Sequence, residues 1–300
     1  MHPPDPSPAE SPFSAPPSAA PSGVSPLASS GGSPSGSRFS RARRFAARAG
    51  GVLAVAIALL LLGPLAVFGF GGLTPGADWR VASRASTGLA PDPAAHPGAV
   101  VQVYAARTIG WRGAFAVHTW VATKRTDASE YEVHHVLGWR AYRGGSAVVS
   151  QRGPPDFRWF GAMPELLADV RGDAAAPLIG RIEAAIDAYP YADRYRAWPG
   201  PNSNTFVAFI ARAVPELRVD LPPTAIGKDF LGGARLVDRM PSGTGWQLSL
   251  FGLAGVGAAL AEGLEANLLG LSVGIDFDDV SLRLPGIGKW PGAPSVGGSS

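Results

Sequence analysis

The feature that most constrains this chain is a run without charge from residue 49 to residue 73, built on Val52-Leu53-Ala54-Val55-Ala56-Ile57-Ala58-Leu59-Leu60-Leu61-Leu62. About 20 apolar residues cross the hydrocarbon of a bilayer, and the buried helix of a soluble core, the competing reading, seldom runs so long without a polar residue. Residues 49–73 are therefore read as one transmembrane helix, with Gly63-Pro64 as a place for a kink. Arg38, Arg41, Arg43, Arg44 and Arg48 stand immediately before it. Positive residues stay on the cytoplasmic side, so the N-terminus is expected in the cytoplasm and the C-terminal domain outside. A cleaved signal peptide has a short leader and an apolar core of roughly 7–15 residues. The longer leader and longer run here fit an uncleaved signal anchor, single-pass in a bacterial inner (cytoplasmic) membrane, with a periplasmic or otherwise extracytoplasmic domain.

Ten of the 29 prolines and twelve serines fall in the first forty residues, with few aliphatic side chains among them. Such a segment cannot bury enough apolar surface to fold, so residues 1–48 are expected to be a disordered Pro/Ser-rich tail with a basic end, and 291–300 a second disordered tail. The five arginines, set against Asp5 and Glu10, account for the whole formal charge of +3 and leave 21 basic and 21 acidic residues elsewhere. A neutral globular part argues against a nucleic-acid partner. The chain has no cysteine, which excludes disulfides, thiolate metal sites and a cysteine nucleophile. No cofactor is expected.

Residues 74–98, with Pro91, Pro93 and Pro97, read as a stalk. An α+β domain is expected over 99–235, an antiparallel β-meander packed with helices. Strands are expected at 100–106, 113–124, 130–142 and 146–151, with a turn at Arg143-Gly144-Gly145. A short helix is expected at 164–170 and a longer one at 176–189, where Leu178, Ile182, Ile186 and Tyr189 form a stripe. In the second strand Phe115, Val117, Thr119 and Val121 share one face, and Ala114, Ala116, His118 and Trp120 share the other. The small residues beside His118 suggest that a helix packs on its face. Residues 236–290 are glycine-rich and read as a β-hairpin of 246–256 and 265–277, with a second membrane contact as an alternative.

Chemistry concentrates around Trp198-Pro199-Gly200-Pro201-Asn202-Ser203-Asn204-Thr205-Phe206, a rigid loop that opens an amphipathic helix. A helix N-terminus stabilises negative charge, so Ser203 there suits a nucleophile, although Asn202 or Ser203 also makes a plain cap. His118 lies mid-strand among apolar residues, where a histidine is either a satisfied core residue or a general base. His134 and His135 point to opposite faces and cannot share a metal without a bulge, so no metal site is expected. The lone Gly227-Lys228 pair lacks the spacing of a phosphate loop.

His118 and Trp120 on an early strand, followed by Asn202-Ser203-Asn204-Thr205-Phe206 at a helix start, resemble the circularly permuted papain-like superfamily. That superfamily includes lecithin:retinol acyltransferase-like enzymes, deSUMOylating isopeptidase-like proteins and bacterial permuted cell-wall peptidases. The resemblance implies a permuted papain-like fold, with His118 at the family's histidine and Ser203 in place of its cysteine. Tyr189-Pro190-Tyr191 through Phe206, with Ala225-Ile226-Gly227-Lys228-Asp229, is similar over a longer stretch to a bacterial family of membrane proteins of unknown function. A serine hydroxyl stays protonated and needs its base during attack, so replacing cysteine weakens the case for catalysis. The leading expectation is a non-catalytic envelope protein. Its aromatic cleft of Trp120, Trp159, Tyr195 and Trp198, with Asn202 and Asn204, would bind a glycan, peptide or lipid-linked ligand, or a protein. The alternative is a serine amidase, peptidase or acyltransferase with Ser203 as nucleophile, His118 as base, and Glu132 or His134 orienting the base.

Overall fold

The computed structural model describes residues 35–71, 73 and 78–291, so the disorder expected for 1–34 and 292–300 lies outside the described residues. The chain divides into two units, Met1–Ala49 and Gly50–Ser300. Helix α1 spans Ser35–Phe70, so the arginine run assigned to a disordered tail is helical from Ser35. Within it, Ala42–Phe70 has 29 residues with a mean hydropathy of 2.6 in its most apolar window. By length and composition this one helix can cross a membrane.

The α+β expectation holds. Strands β1 (Val100–Arg107), β2 (Val117–Lys124), β3 (Glu132–Val136), β4 (Val148–Arg152) and β5 (Glu165–Arg171) form an antiparallel sheet in the order β4-β3-β2-β1-β5. The third expected strand ends early, because 138–141 turn into a short helix α2 (Gly138–Ala141). The helix expected at 164–170 is instead β5, paired to the open edge of β1. Leu166-Leu167-Ala168 is good helix-forming material, but pairing with β1 lets Leu166 face one core and Leu167, Ala168 and Val170 the other.

Helices α3 (Ala176–Asp187) and α4 (Ser203–Ala213) cover one face of this sheet. Leu178, Ile179 and Ile182 of α3 and Phe206, Val207 and Ile210 of α4 meet Val101, Val103, Val117 and Val121 in one buried cluster. The helices therefore pack on the Val117–Val121 face of β2, the face opposite to the one its small residues suggested. Tyr104, Trp120, Val133 and Trp159 form a second cluster on the other face.

The stalk is a strap. Ser83 to Pro91 lie along the domain, held by Asp156, which accepts from the Ser86 hydroxyl at 2.7 Å and the Leu89 amide at 2.7 Å. Burial of Asp156 favours its neutral form, yet these hydrogen bonds outweigh it and hold its pKa below the usual carboxylate range.

The C-terminal hairpin proves to be part of a larger sheet. Strands β6 (Val237–Arg239), β7 (Gly245–Leu250), β8 (Ala254–Ala259), β9 (Gly263–Leu268), β10 (Leu271–Asp276), β11 (Ser281–Leu284) and β12 (Gly288–Trp290) pair in sequence order, all antiparallel. Its inner face is polar. Glu265 is buried between Lys228 and Arg283, the latter donating at 2.9 Å, and Arg283 also reaches Asp220 at 2.9 Å and the Leu221 carbonyl at 2.6 Å. Burial alone would favour the neutral acid, but the two cations hold the Glu265 pKa below the usual range. Removing one member of such a group leaves an uncompensated buried charge. We expect Lys228→Met to lower the unfolding free energy by about 3–5 kcal/mol in denaturant titrations of the detergent-solubilised chain, with Lys228→Arg milder.

Candidate functional site

Asn202 caps α4. Its side-chain oxygen accepts from the Asn204 and Thr205 amides, and the Thr205 hydroxyl returns the contact to the Asn202 amide, completing a capping box. The other polar groups fasten this end to its surroundings. Asn202 Nδ2 donates to the Ala197 and Ile226 carbonyls, Asn204 Nδ2 to the Val117 and Ile226 carbonyls, and Thr205 Oγ1 to the Gly227 carbonyl at 2.8 Å. Thr119 reaches across from β2 to the Ser203 carbonyl and to Asn204 Oδ1. A side chain on Gly227, at φ 100, would collide with the Asn202 amide, so this approach requires glycine. Asn202 and Asn204, expected as ligand contacts, thus spend their hydrogen bonds on the scaffold.

Ser203 is buried at this helix start, and its hydroxyl makes no hydrogen bond among the described residues. His118 is elsewhere. Thr119 points to α4, so His118, one residue earlier on the same strand, points through the opposite face of the sheet. There it stacks on Trp159 with ring centroids 3.7 Å apart and planes 8° apart, and its Nε2 lies 3.4 Å from His135 Nδ1. The structure does not bring Ser203 and His118 together. Nor does it bring Glu132 or His134 to His118: both share the helix face of the sheet, where His134 is satisfied by Thr123 at 3.1 Å and Ser150 at 2.8 Å and Glu132 is exposed. Strand parity separates these groups, and it could not be assigned to a face from the alternation alone.

The expected aromatic cleft also divides. Trp120 and Trp159 line the His118 face, whereas Trp198 donates from its indole to the Leu269 carbonyl of the C-terminal sheet at 2.9 Å and Tyr195 packs edge-on to Tyr142.

What the His118 face does hold is a cavity of about 210 Å³. Loop 153–162 folds over the sheet, fixed by Asp156 and by the Trp120 indole donating to the Pro155 carbonyl at 2.7 Å. Trp139, Phe157, Trp159 and Phe160 wall the cavity, with Arg84 from the strap and Arg152 from β4 also lining it. His135 completes the lining; it is 2% exposed, and its Nε2 has no hydrogen-bond partner. Burial pushes the His135 pKa down to about 4, aided by His134, and pushes His118 well below its ordinary value, aided by His135. Both rings are neutral at pH 7. If His118 donates to His135, then His135 Nε2 carries a proton; in the reverse tautomer Nε2 is an acceptor. Trp139, Arg84 and Arg152 were not singled out by the sequence, and His135 was weighed there only as a metal ligand, because only the covering loop and strap make the four neighbours. Among the described residues no group of three or more His, Asp or Glu side chains is placed to hold a metal ion.

Residues 98–230 match the model of a family described as a protein of unknown function, DUF3750. The match takes in the five-stranded sheet, α3, α4 and the 226–229 turn and stops before the seven-stranded sheet. The papain-like resemblance finds no support in these comparisons: no curated protein and no solved structure matches.

The buried histidines carry a pH dependence. His134 and His135 titrate near 4 in the folded chain and near 6.5 when unfolded, so between these values the unfolded state binds more protons and stability rises with pH. Thermal unfolding of the solubilised chain is expected to be flat above about pH 6.5 and to shift steadily downward as pH falls towards 4, with a shallower slope in His135→Gln.

Proposed function

We propose that this DUF3750-containing chain is a membrane-tethered, non-catalytic binding protein of the bacterial cell envelope, and that its ligand occupies the cavity on the His118 face. The observation that carries this reading is an aromatic-walled cavity flanked by two arginines, with His135 in its lining. The volume corresponds to about seven water molecules, room for a single substituted ring. Trp139, 43% exposed, offers a stacking face, and Arg84 and Arg152 favour an anionic substituent. An acidic sugar residue of an envelope glycan combines these features. The apolar segment of α1 supports a membrane tether, and the arginines before it support a cytoplasmic N-terminus with the domain outside.

The serine-hydrolase alternative loses its support, because its nucleophile and base lie on opposite sides of one sheet and proton transfer needs hydrogen-bond reach. Two measurements test the proposal on the detergent-solubilised chain. Titration with N-acetylmuramic acid should give a saturable change in tryptophan fluorescence, weakened about tenfold or more by Trp139→Ala and by Arg152→Ala, equivalent to about 1.4 kcal/mol. A fluorophosphonate probe should leave the chain unlabelled. Absence of saturable binding would remove the glycan reading, and labelling abolished by both Ser203→Ala and His118→Ala would restore the hydrolase.

A further inference from the structure

The seven-stranded sheet is turned inside out relative to a sheet that faces water. In β7, Gln247 and Ser249 are buried while Trp246, Leu248 and Leu250 are exposed; in β9, Glu265 and Asn267 are buried while Leu264 is exposed. An antiparallel sheet with one solvated face normally shows the reverse alternation. The strand register aligns the outward residues into a ladder, Trp246–Ala258–Leu264–Ile275–Leu282–Trp290, running across six strands without a charge. Trp246 and Trp290, its two ends, are 60% and 59% exposed. A contiguous apolar face of this extent marks an interaction surface.

The occupant is indicated by where the sheet meets α1. The β11–β12 turn, Pro285-Gly286-Ile287, lies directly on Gly63-Pro64: a side chain on Gly63 would collide with the Pro285 carbonyl, and one on Gly286 would come within 2.6 Å of the Pro64 nitrogen. Gly63 is seven residues before the end of α1 at Phe70, about 10 Å along the helix axis. A hydrocarbon core is about 30 Å thick. A turn at that level, in a chain whose α1 spans, sits below the membrane surface. Sheet edges are not tolerated deep in hydrocarbon, whereas tryptophan favours the headgroup boundary.

We infer that the apolar face of the seven-stranded sheet docks onto the lipid bilayer, in the leaflet at the C-terminal end of α1, with Trp246 and Trp290 at the interface. The inference rests on α1 being the span. Docking would hold the binding domain against the membrane instead of leaving it free on a stalk.

The chain has no cysteine, so single-cysteine variants take one nitroxide each. We would label Leu59→Cys in α1, Leu264→Cys and Ile275→Cys on the sheet, and Glu130→Cys on the first domain, all in the full chain reconstituted into phosphatidylcholine–phosphatidylglycerol vesicles. Power saturation with oxygen and with a water-soluble nickel chelate then reports depth. Docking predicts that the sites at 59, 264 and 275 lose relaxation by nickel and gain it from oxygen, while the site at 130 does the opposite. Nickel access at 264 and 275 with the site at 59 protected would overturn the docking and leave the anchor standing. Nickel access at 59 would overturn the anchor, and the docking with it. Spin–spin broadening at 275 that disappears on dilution with unlabelled chain would assign the face to a second copy and also overturn the inference.

Discussion

The turn Ile226-Gly227-Lys228-Asp229 is the junction on which the rest of the structure depends. Its carbonyls receive Asn202, Asn204 and Thr205 from the start of α4, which fixes that helix against β2. Its charged side chains face the other way. Lys228 meets the buried Glu265 of β9, and Asp229 accepts from Asn267 at 2.8 Å. One short segment therefore satisfies a helix terminus with its backbone and a β-sheet with its side chains. Buried polar groups of this kind are unforgiving, because each must be paired to avoid a desolvation cost.

That junction also explains the unusual polarity of the C-terminal sheet. Glu265, Asp276 and Arg283 can be satisfied only where Lys228, Asp220 and the Leu221 carbonyl lie, so their side of the sheet must face the first domain. Strand alternation then sends Leu264, Ile275 and Leu282 outward with no further choice. The apolar exterior follows from where the ion pairs are anchored. Contact of the β11–β12 turn with Gly63-Pro64 sets this exterior beside α1, the one helix among the described residues long and apolar enough to cross a bilayer.

The two faces of β2 divide the labour of the first domain. One carries Val117, Thr119 and Val121 and receives α4; the other carries His118 and Trp120 and is closed by loop 153–162 and the strap. The strap is held by the Asp156 carboxylate and, on either side of Arg84, by the Arg158 amide donating to the Ala85 carbonyl and the Gly161 amide to the Ser83 carbonyl, which together set Arg84 over Phe160 at 4.6 Å and with it part of the cavity wall. A cavity made by a loop and a strap over a rigid sheet can vary its lining without disturbing the core.

The residues alone determined what depends on neighbours in sequence. The long apolar run of α1, the stripe of α3 and the Asn202 cap of α4 follow from periodicity and from hydrogen bonds within a turn. The strand β1 and the alternation of β2 from Val117 onward were equally legible, whereas residues 113–116, expected in the same strand, belong to a 3-10 turn and its exit. Tertiary structure decided which side of that alternation would receive the helices, because both faces of β2 are apolar enough to be buried. It likewise made a strand of 165–171 by offering the free edge of β1, joined the glycine-rich hairpin into seven strands, and gathered His135, Trp139, Arg84 and Arg152 around one cavity. These outcomes rest on pairings between residues far apart in the chain, whose energies come from shared burial and mutual satisfaction of polar groups. No local pattern contains them.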